Sequence, residues 1–398
     1  MRTRRSVSRV FVAALAVAAS GAGTAVAQQA SGPAGVHVGP LMAIPGVDFA
    51  VGHDDNLFYS GINKRGSSVR ILSPYVRIEG TPGPHKFDVG LRYDLGRYGN
   101  SSNDDYDDYT LSGNADVVFT GRTGLKLHAE DRRSHDPRGS TDRPSADRPD
   151  VYKRTGAEGL FHYGAPGAQG AVELDGGYFE KRYQNNRAVT EASDYNTGSG
   201  GATFLWRVQP RTDLLFQAQR RNYDYQLASS TLDSTEDRLY AGARWQATAK
   251  TDGTVKIGHL KKDFRDSTRT DFSGGSWDAG VRWSPRTYSV VDLLTSRQTN
   301  ESTGFGDTIL TKLYGLSWTH DWNSRFQSQL LGNWRNDQFQ GAGVTREDDT
   351  GTLGVRFIYQ FRRWLRFGAE YAHTNRDSNI QTFDYKRNLL LFTVGATL

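Results

Sequence analysis

The chain has 398 residues and no cysteine, which excludes both a disulfide framework and a thiolate metal site. Its 49 basic and 44 acidic residues give a net charge of +5, but Arg2, Arg4, Arg5 and Arg9 lie in a segment that we expect to be removed. Without them the balance is 45 basic against 44 acidic residues (49 − 4 = 45), which gives no reason to expect nucleic-acid binding.

The N-terminus has the layout of a secretory signal peptide. The four arginines precede an apolar run at 10–19, and small residues at 25–27 precede Gln28. Ten apolar residues would make a helix of about 15 Å, roughly half of a hydrocarbon core, so we expect cleavage rather than anchoring. We therefore assign 1–27 to a cleaved signal peptide, 28–45 to an irregular periplasmic segment, and 46–398 to the folded domain.

From residue 46 onward, apolar and polar residues alternate with a period of two. The segments 87–95, 111–119, 239–247, 353–361 and 390–398 show this most clearly. Period two predicts β-strands that are apolar on one face. Hydrophobic residues make up only 36% of the chain, which suits a barrel with lipid outside and water inside, because such a wall needs an apolar residue only at every second position.

Short turns, such as 81–84 and 284–286, alternate with long polar connections, such as 100–108 and 134–150. This asymmetry is typical of outer-membrane barrels, which have short periplasmic turns and long extracellular loops. We predict an all-β fold: a transmembrane antiparallel up-and-down β-barrel of about 18 strands. An alternative of 16 strands stays open because the first, second and thirteenth strands alternate poorly. An even number of strands places both termini in the periplasm.

Aromatic residues sort by the length of the neighbouring connection. Beside short turns, Trp206, Trp283, Trp318, Trp322 and Trp364 predict an aromatic girdle at one membrane interface. Aromatic residues beside long connections predict a second girdle at the other interface, formed by Tyr98, Tyr106, Tyr183, Tyr195, Tyr223, Tyr225, Phe264, Phe339, Tyr371 and Tyr385.

The face opposite the apolar one should line the pore. Our candidate lining residues are Arg92, Asp94, Lys126, Arg132, Arg244, Arg282, Arg356 and Arg366. On the strands that alternate clearly, basic residues outnumber acidic ones on this face, which predicts a lumen that attracts anions. The alternative is that mixed charges only hydrate and brace the wall through cross-strand pairs.

The sequence contains no convincing catalytic or metal-binding constellation. Asp54 and Asp55 could form a carboxylate pair, but we interpret them as residues that end a strand and cap a turn. Asp104, Asp105, Asp107 and Asp108 could hold Ca²⁺, yet their spacing lacks the glycine and distal glutamate of an EF-hand loop. No serine lies in a G-x-S-x-G motif. We predict no enzyme activity, no metal and no cofactor.

Two stretches carry a resemblance to a known family. One is 51–58, with the sequence VGHDDNLF, and the other is 384–388, with the sequence DYKRN. With the signal peptide and the mature length, they resemble the putative outer-membrane β-barrel porin family associated with exopolysaccharide or capsule biosynthesis operons. The resemblance covers essentially all of the mature chain. It implies an outer-membrane protein made alongside polysaccharide polymerisation and export machinery, and it carries no catalytic residue.

We therefore expect an outer-membrane channel that exports an acidic exopolysaccharide through a hydrated lumen. Its expected partners are outer-membrane lipid and lipopolysaccharide, the polysaccharide, and periplasmic export proteins. One alternative is a general diffusion porin, which needs a long loop folded inward. Residues 134–150 are the candidate for that loop, but their charge and three prolines favour a surface loop. The other alternative is a non-conducting scaffold of the export machinery.

Overall fold

The computed structural model describes residues 35–143, 146–246 and 250–398. The predicted signal peptide, 1–27, lies outside the described residues. Within them the chain forms 19 strands: Val36–Val38 (β1), Leu41–Asp54 (β2), Ser67–Gly80 (β3), Lys86–Tyr98 (β4), Tyr106–Val118 (β5), Thr123–Asp136 (β6), Asp150–Tyr163 (β7), Gly170–Tyr183 (β8), Tyr195–Gln209 (β9), Thr212–Tyr225 (β10), Ser234–Trp245 (β11), Thr251–Phe264 (β12), Phe272–Arg286 (β13), Ser289–Glu301 (β14), Thr308–Asp321 (β15), Phe326–Gln340 (β16), Glu347–Arg362 (β17), Leu365–Ser378 (β18) and Tyr385–Thr397 (β19). Single helical turns lie at Ser102–Asp104, Arg187–Thr190 (α1), Glu191–Ser193 and Gln381–Phe383. None of the helices described is long and apolar enough to span a membrane.

Strands β2 to β19 form a closed antiparallel barrel of 18 strands. Each strand pairs with the next along the chain, and β19 pairs with β2 from Leu389 opposite Asp54 to Thr397 opposite Gly46. Closure removes the unpaired edges that would otherwise expose backbone N–H and C=O groups. The prediction of about 18 strands is confirmed, and the alternative of 16 is wrong.

The start of the barrel differs from the prediction. We expected irregular structure through residue 45, but β1 forms a small hairpin with β2, and β2 begins at Leu41. Pro45 is the reason that the sequence did not predict this part of the strand, since a proline has no N–H to donate to a hydrogen bond in a sheet. At this position β2 changes its partner from β1 to β19, so no donor is needed, and the Pro45 carbonyl accepts a bond from the Leu398 N–H at 3.1 Å.

The two faces of the wall have opposite chemistry. Large apolar side chains such as Leu239, Ile257 and Leu353 point outward and are about two thirds exposed (64%, 66% and 66%). The polar face is concave, because it brings together side chains from strands that are not neighbours. The clearest case is Arg244 on β11, which reaches Glu173 on β8 at 2.8 Å. The outer face is suited to lipid and the inner face to water.

Short and long connections alternate around the barrel. At the end where the chain enters β2, the connections have two to six residues: 81–85, 119–122, 164–169, 210–211, 246–250, 287–288, 322–325 and 363–364. At the opposite end they have six to thirteen residues: 55–66, 99–105, 137–149, 184–194, 226–233, 265–271, 302–307, 341–346 and 379–384. The described chain enters and leaves the barrel at the short-turn end; that this end faces the periplasm stays a prediction.

Candidate functional site

Acidic and basic side chains on the concave face are paired with one another. The eight candidate lining residues all lie on this face. Seven make or share ion pairs: Arg92 with Asp48 and Asp94, Arg132 with Glu130, Arg244 with Glu173, Arg282 with Asp292, Arg356 with Glu370, and Arg366 with Asp48. The eighth, Lys126, lies directly opposite Asp116 in the register of β5 and β6. The lumen wall is therefore polar and charged along its length.

The predicted surplus of base on this wall is wrong. The register places on the inner face carboxylates that the sequence count left out, namely Asp48 and Asp292 on poorly alternating strands and Asp213, Glu236 and Asp252 near the start of β10, β11 and β12. Asp48, for example, is buried and accepts from both Arg92 and Arg366 at 3.1 and 2.7 Å. Its strand, β2, alternates poorly in sequence, which is why its polar face was missed.

A segment of the β6–β7 connection crosses the mouth at the long-loop end. We call residues 137–143 the strap. Its Asp142 carboxylate accepts from the backbone N–H groups of Thr303, Gly304 and Phe305 at 3.0 to 3.2 Å, and from the hydroxyls of Ser302 and Thr303. The connection 302–307 joins β14 and β15, eight strands away from β6 and β7 in a barrel of 18. The strap therefore links loops from opposite sides of the mouth.

For residues 137–143, this position corrects the prediction that the segment 134–150 forms a surface loop. The charged residues of the strap do not need solvent because each has partners inside the mouth. Arg143 is almost fully buried; it donates to Asp150 at 2.8 Å and to the Ser193 hydroxyl at 3.0 Å, and it lies over the Tyr183 ring. Burial lowers the pKa of Arg143, but Tyr183 and Asp150 outweigh it, so the pKa lies above the ordinary arginine value. The side chain stays charged.

The loop that binds Asp142, 302–307, packs against two further loops, 341–346 and 379–384. Arg346 joins them. Its guanidinium lies 3.4 Å from the centre of the Phe383 ring and 5.3 Å from that of Phe305, and it pairs with Asp348 at 2.6 Å. Closer to its origin, the strap is held by Arg138, which pairs with Asp104 and lies 3.9 Å from the centre of the Phe58 ring. The strap thus has supports on both sides of the mouth.

The aromatic residues divide between the two faces. The predicted second girdle is wrong, because Tyr183, Tyr223, Tyr225, Tyr385, Phe264 and Phe339 are buried rather than exposed to lipid. Of the predicted residues, Tyr371 is exposed on the outer face, and the other outward aromatics towards the long-loop end are Tyr93, Tyr178, Tyr314 and Trp334, which were not predicted. Position along a strand does not reveal the face, since a shift of one residue reverses it.

The predicted tryptophan girdle residues lie next to the short turns. Trp206, Trp283, Trp322 and Trp364 are exposed on the outer face. Trp318 is half-buried and donates its indole N–H to the Ser289 hydroxyl at 3.0 Å. An amphipathic ring with a bonded polar end suits a membrane interface.

The two family-like stretches meet where the barrel closes. Arg387 binds the Asp54 carboxylate through both Nε and Nη2, at 3.0 and 2.6 Å. The adjacent Asp55 accepts from the backbone and side-chain amides of Asn388, each at 2.6 Å. Asn56 donates to the Lys386 carbonyl at 2.9 Å. We call this group the seam clamp. Sequence reasoning noticed both stretches but missed their contact.

The four aspartates considered for Ca²⁺ do not converge. Asp104 pairs with Arg138, Asp107 with Arg97, and Asp108 with His135, while Asp105 accepts from the Tyr98 N–H. Across the described part of the chain, no group of three or more His, Asp or Glu side chains is arranged to hold a metal ion. These carboxylates organise the loops and strand ends around them.

Comparison with known proteins places the chain among barrel proteins. A family model described as putative beta-barrel porin 2 matches residues 29–398. A comparison with curated proteins gives no match.

Several solved barrels are similar in shape. OccK2 of Pseudomonas aeruginosa, solved in complex with glucuronate, has a TM-score of 0.48 at 14% identity, covering 89% of this chain and 98% of that one. OccAB3 of Acinetobacter baumannii has a TM-score of 0.48 at 12% identity, covering 90% and 99%. The FrpB iron transporter of Neisseria meningitidis has a TM-score of 0.47 at 11% identity; the match covers 87% of this chain but only 65% of the transporter.

Proposed function

The chain belongs to the putative beta-barrel porin 2 family of the outer membrane, and on that premise we propose that it is a channel for small hydrophilic solutes, acidic carbohydrates among them. The observation that carries the proposal is the strap, which crosses the mouth and is anchored by Asp142 on the far side. An inward-folded loop reduces the bore of a wide barrel to the size of small solutes. A barrel of 18 strands without such a loop would leave a broad aqueous channel.

The chemistry of the lumen supports passage of anionic solutes. Arginines such as Arg244 and Arg356 hold carboxylates in the wall, each with two nitrogens within hydrogen-bond or ion-pair distance. A solute carboxylate offers the same geometry and can exchange with those in the wall. Transport requires contacts that are weak and repeated, and partly exposed ion pairs supply them at successive depths.

A second candidate is export of an acidic exopolysaccharide, assisted by periplasmic export proteins. The observation that favours it is that the far end of the strap is anchored mainly by one carboxylate, that of Asp142. Withdrawal of that one side chain would free the strap from the loop 302–307. A polymer could then use the same charged wall.

Uptake into proteoliposomes tests the proposal. We expect monosaccharides and disaccharides, neutral or acidic, to enter vesicles that contain the protein, and oligosaccharides of about ten units to stay outside. Admission of the long oligosaccharides by the unmodified protein would favour the export channel. No uptake of any sugar, combined with no ionic current in planar bilayers, would contradict both candidates and leave a non-conducting scaffold. Protein-free vesicles loaded in parallel provide the control.

A further inference from the structure

We propose that the lumen wall beneath the strap contains a binding subsite for the carboxylate of an acidic sugar, formed by Arg132, Arg154 and Lys181. The subsite rests on the proposed function in one respect, since it needs solutes to reach the lumen. It adds a defined location and a substrate class to that function.

The first observation is a row of three like charges. Arg132 on β6 lies directly opposite Arg154 on β7, and Arg154 lies directly opposite Lys181 on β8. All three belong to the inner face. Like charges directly opposite each other in a sheet are destabilising. A row of this kind therefore costs stability unless an anion is present at least part of the time.

The second observation is that the wall supplies too little negative charge for the row. Glu130 is shared by two of the cations: it lies 2.7 Å from Arg154 and 3.9 Å from Arg132. Among the residues described, no carboxylate lies within ion-pair distance of Lys181, which instead donates to the Tyr183 hydroxyl at 2.9 Å. The nearby Asp136 accepts from Tyr183 at 2.7 Å and lies 3.9 Å from Arg143, so it is already engaged.

Aromatic rings hold the cations in place. Arg154 lies 3.9 Å from the centre of the Phe179 ring, and Lys181 lies 4.3 Å from the centre of Tyr152. Such contacts orient a cation without neutralising it. The Arg132 and Arg154 side chains are about one third exposed (36% and 35%), so they meet lumen water. The Nε of Arg132 has no hydrogen-bond partner. The row is therefore ordered and not fully satisfied, and its two arginines are open to the lumen.

The position of the row matches the path of a solute. Tyr183 links Lys181 below it to Asp136, which precedes the strap, and through Asp136 to Arg143, the last residue of the strap. A solute that passes the strap meets the three cations next. A guanidinium can bind a carboxylate with two parallel hydrogen bonds, and a second cation nearby adds electrostatic attraction. A hexuronate supplies that carboxylate on a small hydrophilic ring, so we assign this class to the subsite.

Blockade of single-channel current by glucuronate tests the assignment. We expect glucuronate to interrupt the current through the wild-type protein, whereas glucose at the same concentration does not. In the Lys181→Gln and Arg132→Gln variants, we expect the apparent affinity for glucuronate to fall by about tenfold, the effect of losing one charge-assisted bond. Arg220→Gln is the matched control, because it removes the same charge from the outer face, where Arg220 is 65% exposed and pairs with Asp237. Sulfate as blocker reveals whether any small anion suffices.

Calorimetric titration of the detergent-solubilised protein with glucuronate keeps the subsite testable without current. Binding that is weakened in the Lys181→Gln variant supports the subsite even if no current appears, and in that case the channel proposal alone fails. Equal affinities in Lys181→Gln, Arg132→Gln and wild type would overturn the subsite while leaving the channel intact. Blockade by sulfate as strong as that by glucuronate would overturn the assignment to a sugar acid. Unchanged heat-dependent gel mobility shows that each variant is folded.

Discussion

At the scale of single residues, the seam clamp holds the barrel closed where its first and last strands meet. Asp54 and Arg387 are both buried and lie 333 positions apart in the chain, so their bond forms only when the whole wall has closed. The stretches around them are distinctive in the sequence, yet nothing in either stretch indicates that the two are in contact. Sequence reasoning therefore treated Asp54 and Asp55 as the cap of a local turn and missed their long-range role.

Replacement of Arg387 by leucine should destabilise the barrel strongly. The substitution leaves the Asp54 carboxylate buried without its main partner, and breaking a buried pair in this way costs about 3–5 kcal/mol. Unfolding by urea in lipid vesicles, followed by tryptophan fluorescence, measures the change. Arg220→Gln breaks an exposed pair and should leave the unfolding midpoint unchanged. Equal midpoints for both variants would show that the clamp does not stabilise the seam.

At the scale of strands, period two and the alternation of short and long connections together predicted about 18 barrel strands, although the first, second and thirteenth alternate poorly. They did not predict which residues face the lumen near the long-loop end. There the outer face is also polar, as the exposed pairs Lys153–Asp131 and Lys261–Asp263 show. Where both faces are polar the alternation disappears. The sequence alone therefore could not distinguish the inward tyrosines from a girdle that faces lipid. The predicted first strand began too late, at 46 instead of Leu41, for a similar local reason, the proline at 45.

An arginine on the lipid-facing side of β17 should be costly. Leu353 points outward, so Leu353→Arg is expected to destabilise the barrel by about 2–4 kcal/mol if the residue lies near the middle of the bilayer. The control is Ser112→Arg, on the inner face opposite Glu130, where the new charge meets water and a carboxylate. Folding free energies in vesicles of defined thickness provide the measurement. A larger loss for Ser112→Arg than for Leu353→Arg would mean that the two faces are reversed.

At the scale of the whole molecule, the strap determines how wide the channel is. The length of the 137–149 connection was evident from the sequence, but its direction was not. Direction depends on the partners of Asp142 across the mouth, which begin 160 positions further along the chain. Charge and proline content gave the wrong answer because a charged loop is equally stable in a mouth that supplies matching polar groups.

A reversible cross-link between the strap and its anchor tests the central claim most directly. The native chain has no cysteine, so the double variant Asp142→Cys and Thr303→Cys, whose native side chains are in contact, contains one defined pair of thiols. We expect a small, steady conductance in planar bilayers while the disulfide is intact. Reduction should produce a larger and fluctuating conductance, because the strap has lost both its disulfide and its native anchor. Thr303→Cys alone should not respond to the reductant. Identical conductance of the double variant before and after reduction would contradict the account, because the strap would then not lie in the conduction path.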